Sequence, residues 1–140
     1  MALREDVSGV IITDFQFGIL EQDENGVYFV SKETRSIPNI PGLRFGFIFN
    51  YSNNTGRTVD HRWELILPGR PETARTIDGT TNVDYSPMEN RVVSVTEGLT
   101  VDDSTQYSVN RIDPGDPSGQ WAMEIYIGPH LYKTVIFNVR

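Results

Sequence analysis

Every second residue is apolar over positions 43–51, where Leu43, Phe45, Phe47, Phe49 and Tyr51 alternate with Arg44, Gly46, Ile48 and Asn50. Successive side chains of an extended strand point to opposite sides, so such a run has one oily face and one that tolerates water. The pattern returns at positions 59–67, where Val59, His61, Trp63, Leu65 and Leu67 alternate with Asp60, Arg62, Glu64 and Ile66. Glycine, proline, asparagine and aspartate punctuate the runs, and helical periodicity is almost absent. The chain is therefore constrained to strands.

Reading the rest of the chain in the same way gives eight or nine strands. Positions 10–20 and 27–34 read as two strands joined at Asn25-Gly26, a tight-turn dipeptide. The runs at 43–51 and 59–67 are expected to form a central hairpin across SNNTGR. Weaker strands are expected near 80–85, 89–96 and 104–112, and Pro71-Glu72 offers the start of one helical turn. Between them, IPNIPG lacks two amide donors at Pro38 and Pro41, so it belongs at an edge or in a crossing connection.

The C-terminal pair is sharper. Trp121, Met123, Ile125 and Ile127 form one face of a strand, and Leu131, Val135, Phe137 and Val139 one face of the next. A turn at Gly128-Pro129-His130 would set Trp121 opposite Phe137, Met123 opposite Val135 and Ile127 opposite Leu131. Short strands without helices to serve as parallel crossovers predict an all-β, antiparallel two-sheet sandwich, with residues 1–140 forming one domain.

Composition narrows the chemistry. At 140 residues with 38% apolar and 11% aromatic side chains, the chain can bury a core without metal or disulfide staples. It has no cysteine, which removes thiolate catalysis and thiolate metal sites. A net charge of -7 disfavours nucleic acid and anionic membrane surfaces as partners, because phosphate is held by clustered Lys and Arg. No apolar run is long enough to cross a bilayer. A cytoplasmic location is the simplest expectation if Met1 is the native start, and a periplasmic or secreted one if a signal peptide has been removed.

The closing segment, with Gly119, Trp121, Met123, Ile125, Ile127, Gly128, Leu131, Phe137 and Val139, resembles the final hairpin of immunoglobulin-like sandwiches. The opening, from Ile12-Thr13-Asp14-Phe15 through IPNIPGLRFGF, resembles an uncharacterised bacterial domain family of unknown function. These resemblances rest on core and turn positions, so they imply architecture and carry over no catalytic residue. The two cysteines that flank a tryptophan in antibody domains are missing, which limits the kinship to general architecture.

Candidate chemistry is sparse. A serine or threonine nucleophile would need His61 or His130 as its base, and no G-x-S-x-G elbow occurs. His61 falls on an inward face and His130 in a turn. Glu64 and Glu124 are the most interesting carboxylates, since each lies on a strand opposite the core. Asp113 and Asp116, or Asp102-Asp103, do not have the spacing of a calcium loop, and no phosphate-binding glycine motif is present, so neither metal nor cofactor is expected.

The best surface for a partner is the outward face of the last hairpin, where the expected register places Tyr126 opposite Tyr132 and Glu124 opposite Thr134. Arg44 and Arg62, with Glu64 nearby, are expected to form an ion-pair cluster on the outside of the central hairpin. Gly46 on that face would leave room for a ligand or a crossing chain. A non-catalytic binding or protein-interaction module is the leading expectation, with a protein partner or self-association placed first. A carbohydrate on an exposed tyrosine face is the alternative, and a hydrolase using acidic residues a more distant one.

Overall fold

The computed structural model describes residues 4–69, 77–78, 83–86, 90–94, 98–100 and 104–140. In chain order its strands are β1 (Arg4–Val7), β2 (Val10–Gln22), β3 (Tyr28–Glu33), β4 (Ser36–Ile37), β5 (Arg44–Asn53), β6 (His61–Ile66), β7 (Ile77–Asp78), β8 (Val83–Ser86), β9 (Arg91–Ser94), β10 (Ser104–Arg111), β11 (Gly119–Ile127) and β12 (His130–Val139). They form two six-stranded sheets. The first runs β1-β2-β5-β10-β7, with β3 also on β2, and the second runs β4-β12-β11-β6-β9-β8. Among the described residues all strand pairings are antiparallel except β4 with β12. The fold is an all-β sandwich. Nine strands coincide with those read from the sequence; β1, β4 and β7, at 4, 2 and 2 residues, are too short for alternation to reveal. The helical turn at Pro71-Glu72 and the Asp102-Asp103 turn lie outside the described residues.

The core lies between the sheets. Phe45, Phe47 and Phe49 of β5 are fully buried and face Trp63, Trp121 and Phe137 of the second sheet. Their rings meet across the gap: Phe45 packs on Trp121 and Phe137 at centroid distances of 6.0 and 5.5 Å, and Phe17 on Phe137 at 4.9 Å. Each such side chain contributes about 1.5–3 kcal/mol of hydrophobic stabilisation, and each favourable ring pair adds up to ~1 kcal/mol.

The expected central hairpin does not form. β5 pairs with β2 and β10 in the first sheet, whereas β6 pairs with β11 and β9 in the second. The connection crosses the sandwich, and Asn53 explains how. Its buried Nδ2 donates to the carbonyls of Arg57 at 2.8 Å and Leu99 at 3.0 Å, while its Oδ1 accepts from the Thr55 amide at 3.0 Å. That knot turns the chain toward the other sheet instead of back along β5. Both apolar stripes are still buried, against each other rather than side by side.

IPNIPG behaves as expected for a donor-poor segment. Ile37 ends the edge strand β4, and the chain then returns to the first sheet at β5. Gly46 does not open a ligand space. It lies opposite Gly18, its φ is +155°, and an added Cβ would sit 1.9 Å from the Ser108 carbonyl oxygen and 3.3 Å from Leu20. The missing side chain is used for close approach of β10.

The last hairpin keeps the expected pairs Trp121 with Phe137, Met123 with Val135 and Glu124 with Thr134. Beyond Ile125 the register shifts, so Tyr126 meets Leu131 and Ile127 meets His130. The turn closes one residue earlier than expected because Gly128 takes a φ of 57° and donates its amide to Asp60 at 2.7 Å. One extra residue in β12 then reverses the sidedness of the positions before it. Leu131, expected inside, is half exposed, and Tyr132, expected outside, turns toward the core.

Candidate functional site

The outer face of the second sheet gathers three of the five expected site residues. Cross-strand pairing sets out three rows on β6, β11 and β12: Arg62, Tyr126 and Leu131; Glu64, Glu124 and Thr134; Ile66, Ala122 and Ile136. These positions alternate with buried His61, Trp63, Leu65, Met123, Ile125 and Val135, so the strand period aims them away from the core. Leu131 and Ile136, 50% and 49% exposed, border the patch.

Charges occupy its centre. Arg91, at the start of β9, sends one terminal nitrogen to Glu64 Oε1 at 2.8 Å and to Glu124 Oε1 at 2.9 Å. Arg62 pairs with Glu64 Oε2 at 3.2 Å and lays its guanidinium over the Tyr126 ring, 4.2 Å from the centroid. The Tyr126 hydroxyl donates to Glu124 Oε1 at 3.4 Å, which closes a ring of five side chains. Donation to the Glu124 carboxylate, opposed by burial and aided by Glu64, raises the pKa of the Arg91 guanidinium above its ordinary range. Two cations and two carboxylates leave the patch electroneutral in a chain of net charge -7.

Tyr132 and Arg44 lie elsewhere. Tyr132 packs edge-on against Phe15 and Phe49 at 5.9 and 6.2 Å, and its hydroxyl donates to Glu5 at 3.0 Å. Burial, then the contact with Glu5, pushes the phenol well above the usual tyrosine range. Lys133 covers the same corner, 4.3 Å above Phe15 and 3.7 Å from Glu5. This corner borders a notch of about 290 Å³ that also includes Asp14 and Glu33. The expected tyrosine pair therefore does not exist: Tyr126 and Tyr132 sit on opposite sides of the sheet. Arg44 lies on the first sheet, 6.0 Å from the Tyr28 ring, beside a groove of about 750 Å³ lined by Leu20, Lys32 and Leu43. It shares no cluster with Arg62, since β5 and β6 belong to different sheets.

Both histidines have identifiable partners. His61 is buried and bonded through Nδ1 to the Tyr126 carbonyl at 3.1 Å. His130 Nδ1 lies 2.6 Å from Ser8 Oγ, whose own proton goes to the Ile127 carbonyl at 2.9 Å. His130 is then the donor in that contact, which is the reverse of a base activating a nucleophile. In the proline-glycine turn, Asp116 Oδ2 accepts the Asp113 amide at 2.8 Å and so fastens its own loop. Among the described residues no three His, Asp or Glu side chains are grouped to hold a metal.

Sequence reasoning missed Arg91. Nothing in the run RVVS tells which strand lies beside it, so the arginine gives no local signal of the two carboxylates it joins.

A family model described as the PM0630 beta sandwich domain matches residues 15–140. Among solved structures, an immunoglobulin-like protein from Pseudomonas aeruginosa aligns with a TM-score of 0.64 at 17% identity, over 91% of this chain and 92% of that one. The likeness is one of fold. An alkylpurine DNA glycosylase from Pseudomonas fluorescens, bound to DNA containing an abasic site analog, aligns at a TM-score of 0.42 and 9% identity, over 90% of this chain and 30% of that one. No curated protein matches the sequence.

Proposed function

We propose a role for this chain from the premise that it belongs to the PM0630 beta sandwich domain family: it is a non-catalytic protein-interaction module that docks its partner on the outer face of β6, β11 and β12. One observation carries the reading. A broad sheet face holds a closed ring of Arg62, Glu64, Arg91, Glu124 and Tyr126, bordered by the exposed Leu131 and Ile136. Tyrosine and arginine flanked by apolar residues is the composition of interface hot spots. Electroneutrality lets an acidic protein approach without like-charge repulsion.

The ring also weighs against the other readings. A hydrolase built on Glu64 and Glu124 needs one carboxyl to give a proton and the other to stay free, yet both hold Arg91. A sugar stacking on Tyr126 would have to displace Arg62 from the ring face.

A photo-crosslinking side chain placed at position 136, with a second protein carrying it at position 107 on the first sheet, tests the proposal in cells that make the protein. A discrete, saturable adduct is expected from position 136 alone, reduced at least tenfold by Arg62→Glu; an adduct of twice the chain mass would identify self-association. Equal adducts from both positions, or none from 136, would refute docking on this face.

A further inference from the structure

His61 ties the backbone of the docking face to the core. The Tyr126 carbonyl can only accept, so His61 Nδ1 carries the ring proton, and Nε2 is buried with no hydrogen-bond partner. The ring stands edge-on to Phe47 and Phe49, at 5.9 and 5.8 Å. Tyr126 is where the β11–β12 register shifts, and the next residue after His61 is Arg62, which covers the Tyr126 ring. One imidazole therefore touches the main chain beneath both residues at one corner of the patch.

We propose that His61 is an acid-operated latch on this face: a proton at Nε2 would place a cation among phenyl rings, and the corner formed by Arg62 and Tyr126 opens to let the imidazolium reach water. The consequence for docking rests on the reading above, but the latch itself does not. Among the described residues no anion is bonded to the ring: its one partner is the Tyr126 carbonyl, and Nε2 has none. From β5 come Phe47, Phe49 and Tyr51, whose hydroxyl is 3.2 Å from Thr100 Oγ1. On β11, Ile127 is opposite His61; on β10, Gln106 and Ser108 are opposite Phe49 and Phe47; and on β12, Tyr132 packs on Phe49 and is bonded to Glu5, itself paired with Lys133. Asp60, the acid next to His61 in sequence, is exposed and alternates with the inward-facing Val59 and His61.

Burial pushes His61 down to about 4, opposed in part by its bond to the Tyr126 carbonyl. An opened state with the ordinary value of 6.5 binds a proton that the closed state refuses, so closure weakens as pH falls from 6.5 toward 4. Between pH 7 and pH 4 the opening equilibrium should grow about 100-fold through this one group.

The test compares the wild-type chain with His61→Asn, which keeps an N–H for the Tyr126 carbonyl and does not titrate, and with His61→Phe, which keeps the ring volume if the asparagine variant folds poorly. Unfolding free energies at pH 7 and pH 4 should show the extra 100-fold loss in wild type alone, and NMR shifts of Tyr126 and Arg62 should follow the imidazole titration. A His61 that titrates near 6.5 in the folded protein, or Tyr126 shifts that ignore it, would overturn the latch. The crosslink from position 136, repeated at pH 5, separates the two ideas: an adduct missing at every pH removes the docking reading, whereas one that persists unchanged at pH 5 removes the coupling.

Discussion

Replacing Arg91 by alanine removes the one cation among the described residues that Glu64 and Glu124 share; the two carboxylates face each other directly across β6 and β11. Side chains at directly opposed antiparallel positions start about 5 Å apart at Cβ. Two unit charges at that distance repel by roughly 1 kcal/mol in water and ~3 kcal/mol at an effective dielectric constant near 20. Glu64 and Glu124 are 13% and 24% exposed, between those limits, and Arg91 at 31% exposure loses part of its attraction to solvent screening. The variant should therefore lose about 2 kcal/mol at pH 7 and low salt. Urea unfolding followed by the fluorescence of the buried Trp63 and Trp121 would measure it.

A second substitution tests the cause. Glu64→Gln in the Arg91→Ala background removes one of the two facing charges and should recover at least half of the deficit at pH 7. A deficit below ~0.5 kcal/mol, or one that Glu64→Gln leaves in place, would show that the ring is a surface arrangement of no energetic consequence.

Two further outcomes are expected. Gly46→Ala should destabilise by more than 3 kcal/mol in thermal melts, since its Cβ would meet the Ser108 carbonyl at 1.9 Å, whereas Gly42→Ala, with open space around it and a φ of 91°, should lose about 1 kcal/mol. Tyr132→Phe should cost about 1 kcal/mol and speed amide exchange in β1, because the hydroxyl, together with Lys133, holds Glu5. Its alkaline behaviour should differ too: folding holds the Tyr132 phenol protonated above its ordinary value of 10.0, so wild type loses stability as pH rises past 10 and the phenylalanine variant loses less.

Alternation made the burial side of most positions legible: Phe45, Phe47, Phe49, Trp63, Trp121 and Phe137 were all assigned inward and are all buried. It also gave the opposition of Trp121 and Phe137, through a compensation: the turn is one residue shorter than expected, and the extra residue in β12 restores the expected register beyond it. Sidedness is a local property, decided by the strand backbone and the water around it. Neighbourhood is not. The stripes of β5 and β6 would be buried equally well side by side or face to face, and hydrogen bonds from Asn53 to residues as distant as Leu99 decided between them. The candidate site depended most on such distant decisions. Arg91 reaches Glu64 and Glu124 only because β9 lies beside β6, and Tyr132 left the outer face because one extra residue in β12 reversed the parity that a period-two pattern assumes.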